Sequence, residues 1–261
     1  MPVKNALEVD QIFDHISYLK GSSVIRMLST HLGRETFLQG VARYLKAHAY
    51  GTYISIHNYF TSMAAANGPH TGNATTNDLW SALSQASNQD VNNFMVSGVK
   101  VRFIDKVADI RLQDPWIRKI GFPVVTVTEE AGQLEIRQNR FLSTGDAEPE
   151  EDQTMWWIPL GIKSGPDLAA QQPRALVSNA DTIQGLGRDS FYKINKDLSG
   201  FYRTNYSPDR LEKLGKSLDS LSTEDKIGLI GDAAALAVSG EGTTAALLSL
   251  LEGFKDEKNY L

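Results

Sequence analysis

The sequence predicts an α+β multidomain protein in the order helical, β, helical. Three observations carry this. Apolar residues recur at helical spacing at the start, as in Leu7, Val9, Ile12, Phe13, Ile16 and Leu19. Near Val124 the period changes to two. Helical spacing returns after Ser207-Pro208-Asp209, where Ser207 suits an N-cap and Pro208 the first helical position.

Residues 7–33 read as helix; Gly21 interrupts the apolar face and Val24, Ile25, Met27 and Leu28 resume it. Gly33 suits the position just past a helix end. Residues 35–48 form a second helix, with Phe37, Leu38, Val41, Tyr44 and Leu45 on one stripe. A third spans about 77–87, with Thr76 as N-cap. Val124 to Thr128 are β-branched, a turn signal follows at Glu129-Glu130-Ala131-Gly132, and Leu134 to Gln138 alternate, which together make a hairpin. Gly145 to Gln153 is an acidic loop. Met155 to Ile162, Ala175 to Val177 and Phe191 to Ile194 read as further strands, so 122–196 reads as an all-β module. Helices at about 208–219, 223–238 and 241–252 follow.

A length of 261 residues suits two or three domains. The net charge of −5 argues against a general nucleic-acid binder. The absence of cysteine removes disulfide scaffolds, thiol catalysis and cysteine-ligated metal sites, and it fits a reducing compartment. The first residues have no apolar signal core. The longest stretch without a charged residue, Ala47 to Asn77, is too polar to span a membrane. None of the five histidines, His15, His31, His48, His57 and His70, is followed by Glu, so the zinc-hydrolase pattern H-E-x-x-H is absent.

The segment Ser17-Tyr18-Leu19-Lys20-Gly21 resembles the motif that holds the catalytic tyrosine of M1 (gluzincin) zinc aminopeptidases. Further stretches resemble the family in the same order. Trp116 with Gly121-Phe122-Pro123-Val124 is similar to the end of its thermolysin-like domain. Gln138-Asn139-Arg140-Phe141-Leu142 and Trp157-Ile158-Pro159-Leu160 are similar to its β-sandwich. Gly200-Phe201-Tyr202-Arg203-Thr204-Asn205-Tyr206 resembles the opening of its C-terminal helical domain.

The resemblance implies three parts. Residues 1–121 would be the C-terminal helical part of a thermolysin-like catalytic domain, 122–196 a β-sandwich, and 197–261 the start of an α-helical superhelical domain. Tyr18 would donate a hydrogen bond to the oxyanion of the tetrahedral intermediate. The family uses zinc and acts on the amino termini of peptides, and its puromycin-sensitive-like members imply a cytoplasmic setting. No metal-ligating residue carries over: H-E-x-x-H, Asn-Glu-Gly and Gly-x-Met-Glu-Asn do not occur. His15 and His31 read as structural rather than as substitute ligands. The chain is therefore expected to bind no zinc, to be inactive as a peptidase by itself, and to behave as an internal fragment that stops where the helical array would continue. Apolar helix faces around Leu247, Leu248, Leu250 and Leu251 are then expected to be exposed and open to association.

The resemblance lapses at 51–71 and 96–113. Lineage-specific loops are one reading. Translated introns are another, favoured because splice-like codons are possible in order, among them GTAAGT for Val96-Ser97 and CAG for Gln113. The cations Lys100, Arg102, Lys106 and Arg111 in the second segment read as accidental. Two rival functions are a non-catalytic interaction module, built from the β and helical parts, and a hydrolase on the acidic loop Asp146–Asp152, for which a solvated loop is the plainer reading.

Overall fold

The computed structural model describes residues 15–48, 74–95, 102–103, 106–107, 115–119, 121–145, 154–165 and 174–258. The expected helix start at 7–14, the first lapse at 51–71, most of the second and the acidic loop from Asp146 lie outside them. The helices are α1 (His15–Leu32), α2 (Arg34–Ala47), α3 (Thr76–Ser87), α4 (Val91–Met95), α5 (Pro115–Arg118), α6 (Pro208–Gly215), α7 (Thr223–Ser239) and α8 (Thr244–Glu252). The strands are β1 (Arg102–Phe103), β2 (Lys106–Val107), β3 (Pro123–Glu130), β4 (Gln133–Arg140), β5 (Ile158–Pro159), β6 (Lys163–Ser164), β7 (Ala175–Leu176), β8 (Ala180–Gln184), β9 (Tyr192–Lys193) and β10 (Arg203–Asn205). The fold is mixed α and β. Among the described residues no helix is long and apolar enough to cross a membrane.

The chain divides into two compact units, 32–95 and 1–31 with 96–261. In the first, α2 meets α3 at Gly40, where a Cβ would stand 2.6 Å from the Leu83 side chain. Phe37, Trp80, Leu83, Val91 and Met95 form its buried set. Helix α3 starts one residue earlier than the sequence reading placed it. Thr75 is the N-cap, and the Asp78 carboxylate accepts from its backbone N–H at 2.6 Å and its hydroxyl at 2.8 Å.

In the second unit, β3 and β4 form the expected hairpin, in register from Pro123 opposite Arg140 to Glu130 opposite Gln133. It is the centre of a four-stranded sheet in the order β10-β3-β4-β8. Strand β4 alternates, burying Leu134, Ile136 and Gln138 while Glu135 and Arg137 stay exposed. Strand β3 buries both Val124 and Val125, so both its faces are covered. Val124 packs with Phe141 and with Leu236 of α7. Of the stretch expected to be one strand over Met155–Ile162, only Ile158–Pro159 (β5) is strand, paired with β7; β6 follows the stretch and pairs with β9. Just before β5 the Gln138 side chain bonds both ways with the Trp156 backbone, at 2.9 and 3.0 Å.

Helix α6 begins where its Ser207 cap predicts but ends at Gly215 rather than 219, and α8 begins at Thr244, on a Thr243 cap, rather than at 241. Ser207 accepts from the Arg210 N–H, and Ser222 and Asp225 form a reciprocal capping box on α7. Arg210 of α6 is buried. Its guanidinium bonds the Glu129 carboxylate of β3 and donates to the carbonyls of Ser190 (2.9 Å), Gly187 (3.0 Å) and Arg188 (3.1 Å). It lies 4.0 Å over the Tyr192 ring, whose hydroxyl donates to Glu129 at 2.7 Å. Burial alone would raise the Glu129 carboxyl; the Tyr192 and Arg210 bonds outweigh it and hold it below its usual value.

Two outcomes follow for stability. Arg210→Met leaves Glu129 buried without its counter-charge and should lower unfolding free energy by about 3–5 kcal/mol in urea titration. Gly200→Ala places a Cβ 2.2 Å from the ring of buried Tyr202. It should cost about 1–3 kcal/mol by the same measurement.

Candidate functional site

Tyr18, the one catalytic residue expected from the sequence, lies near the start of α1; its side chain is outside the described residues. The helix that carries it is held by a neighbour. Lys20 donates from Nζ to the carbonyls of Lys119 (2.6 Å) and Gly121 (3.0 Å), at the entrance to β3. Further along α1, the Arg26 guanidinium donates to the Asp197 carbonyl at 3.1 Å, and the Phe201 N–H meets the Met27 sulfur at 3.5 Å. His31 stands edge-on to the Trp157 ring at 4.6 Å. The helix thus enters the structure through a lysine, an arginine, a thioether and an imidazole on its successive turns. Of these, Lys20 belonged to the recognised motif, but its role was not read from the sequence.

The described residues offer no set of donors for the zinc that the family resemblance implies. Among the described residues no three His, Asp or Glu side chains group where they could hold a metal ion. His31 is placed against an indole and His48 lies 5.0 Å from the Tyr44 ring.

The segment Gly200–Tyr206 is the best-built part of the site. It carries β10, a parallel edge to β3 that aligns Arg203 with Val124 and Asn205 with Thr126. The sequence reading did not mark this strand. Tyr202, Thr204 and Tyr206 alternate as buried residues. The Tyr202 hydroxyl donates to the Leu160 carbonyl at 2.6 Å, and the Tyr206 hydroxyl accepts from the Ile194 N–H at 2.7 Å. Burial pushes both phenols well above their usual range. Asn195 closes the turn before them, accepting from the Gly200 N–H and donating to the carbonyls of Gly200 and Tyr202.

On the other side of β10, Arg203 and the Thr204 N–H meet Asp232 of α7, at 3.1 and 2.9 Å. Arg203 also lies 4.8 Å over the Phe141 ring and 5.6 Å over Phe122. Burial raises the Asp232 carboxyl to about 6, against the opposing pull of the Thr204 N–H and Arg203. Ser23, Arg26, Phe122, Phe201, Arg203 and Asp232 open onto a cleft of about 240 Å³. Of the charged residues of this cleft, Arg203 stood in the recognised Gly200–Tyr206 stretch without a role read for it, and no role was read for Arg26 or Asp232, because neither spacing nor periodicity sets them apart.

The sequence signature of the Peptidase family M1 domain matches residues 1–70, and that of the ERAP1-like C-terminal domain matches 191–261. Aminopeptidase 2 of Candida albicans is 40% identical over the whole chain. Aminopeptidase 2, mitochondrial, of Saccharomyces cerevisiae is 38% identical over the whole chain, and Aminopeptidase M1 of Arabidopsis thaliana is 34% identical over 99% of it. This is M1-family sequence. It covers 24%, 23% and 26% of those relatives, so the chain spans about a quarter of their length. The second match takes in Gly200–Tyr206 and with it the edge strand that Asp232 anchors.

Asp232 gives this M1 segment a defined pH dependence. Its carboxyl binds a proton more tightly folded than unfolded, so its contribution to stability falls as pH rises from about 4 to about 6 and is level above. Glu129, Asp181 and Asp225, all held below their usual values, act oppositely and lose their contribution as pH falls through the acid range. Asp232→Asn removes only the first effect. The variant's stability relative to the parent should therefore improve by about 2–3 kcal/mol between pH 4 and pH 7 in denaturant titrations. A difference that stays flat with pH would contradict this assignment.

Proposed function

We propose that this chain is the part of an M1 aminopeptidase that carries the tyrosine for the oxyanion, and that alone it does not hydrolyse peptides. The observation that carries the reading is the Ser17-Tyr18-Leu19-Lys20-Gly21 motif on α1, with Lys20 bonded to the carbonyls of Lys119 and Gly121. Lys20 fixes the helix that carries Tyr18, and a donor on a fixed scaffold lowers the barrier without reorganisation during the reaction. In this reading residues 1–121 end the catalytic domain, with insertions at 51–71 and 96–113. Residues 122–196 form its β-sandwich and 197–261 open the helical domain. Peptides are the substrate class of the whole protein, and the cysteine-free composition supports a cytoplasmic setting.

The reading is tested with the purified 261-residue chain and an aminoacyl chromogenic substrate, with zinc added. No turnover above the blank is expected; chelator-sensitive turnover would overturn it. When the chain is joined to an upstream M1 segment containing H-E-x-x-H, Tyr18→Phe should lower kcat by ~10²–10³ with little change in KM.

A second reading, a non-catalytic contact module, is favoured by apolar side chains left open on the C-terminal helices, Val238 at 80% and Leu248 at 61% exposure, although Leu250, expected on the open face, is buried. A chain that stays monomeric and monodisperse at high concentration would count against it.

A further inference from the structure

The cleft between α1, the loop at Leu198–Tyr202 and α7 has two notable features. Its charge is unbalanced. Asp232 is already matched by Arg203, whereas the side-chain bond that Arg26 makes among the described residues is to a carbonyl, that of Asp197. No carboxylate among the described residues lies within ion-pair distance of Arg26. Its floor is aromatic. Phe122 and Phe201 lie 5.1 Å apart, each half-buried, so each keeps surface for an apolar guest. Arg203 Nη1 is engaged by Gly231 and Asp232, yet its side chain stays 27% exposed at the edge of the same cleft.

We propose that this cleft binds a small carboxylic acid with an apolar body, its carboxylate against Arg26 and the open edge of Arg203 and its body on Phe122 and Phe201. One excess positive charge on the walls calls for one negative charge on the guest, and a guanidinium is the side chain best suited to hold a carboxylate. About 240 Å³ takes a branched acid of a few carbons and excludes a folded partner. This binding requires no peptidase activity of the chain, so it can fail or hold independently of the function proposed above.

The test is calorimetric titration of the full chain with isocaproate, with its primary amide and with the tripeptide Ala-Ala-Leu, alongside backbone amide shifts. Isocaproate should bind with a dissociation constant on the order of millimolar, shift the amides of Ser199–Arg203, and bind roughly tenfold more tightly than the amide. Arg26→Gln should weaken it roughly tenfold. Arg26 is exposed but also donates to the Asp197 carbonyl, so the melting curve of the variant is measured beside its affinity. Binding of isocaproate alone assigns a free acid; equal binding of the tripeptide assigns a peptide C-terminus, and both uphold the carboxylate site. Equal affinity for acid and amide, shifts elsewhere in the chain, or no heat at ~50 mM would overturn the proposal, and the comparison of acid with amide needs no variant.

Discussion

The guanidinium of Arg210 sits out of water against the Glu129 carboxylate, three backbone carbonyls and the face of Tyr192. A buried charge of this kind is tolerable only when its partners are nearly complete, because water no longer solvates it. The partners come from β3, from the loop at Gly187–Ser190 and from β9, while the arginine itself comes from α6. The first C-terminal helix can therefore sit in only one way on the β layer that precedes it. An arginine suits this role better than a lysine, since its planar fork satisfies several acceptors at once.

The same device recurs along α7. Asp225 is fully buried; it pairs with Lys193 of β9 at 2.7 Å, lies 3.5 Å from Lys163 of β6, and accepts from the Asp197 N–H at 2.7 Å. Burial alone would raise its carboxyl, but the bond and charge of Lys193 outweigh that and lower it. Two turns on, Asp232 holds Arg203 and the Thr204 N–H of β10. Here the compensation is weaker and the carboxyl stays raised. Four acid–base contacts, made by three buried carboxylates, thus bind the helices to the strands, and the apolar contact of Leu236 with Val124 and Phe141 fills the space between. Charges fix the orientation while apolar burial supplies most of the driving force.

Much of this fold was legible in the sequence, and the exceptions share a cause. The β3–β4 hairpin announced itself by alternation and by its Gly132 turn, α6 by its spacing and its Ser207 cap, and α7 and α8 by their spacing, with α8 starting at Thr244 on a Thr243 cap rather than at 241. Strand β8 was missed because Ala180-Asp181-Thr182-Ile183-Gln184 offers one large apolar residue, Ile183. Strand β10 was missed because its parallel partner lies about 80 residues away and its middle is polar. The strand read across Met155–Ile162 broke up because Trp156 and Trp157 are both buried, and their anchors are side-chain bonds to Pro115, Gln138 and Trp116 rather than a ladder. The site followed the same division. Tyr18 was found through a motif, whereas Lys20, Arg26, Arg203 and Asp232 gain their roles from partners far off in the chain, and local spacing does not encode that.

If buried charge joins the C-terminal helices to the sheet, the two should open together. Native-state hydrogen exchange of the β3–β4 and α7 amides measures this most directly. The slowest amides of both should share one opening free energy, and Arg210→Met should lower both by the same amount. Helix α7 amides exchanging far faster than those of β3, with Arg210→Met moving only one of the two sets, would contradict a single cooperative unit.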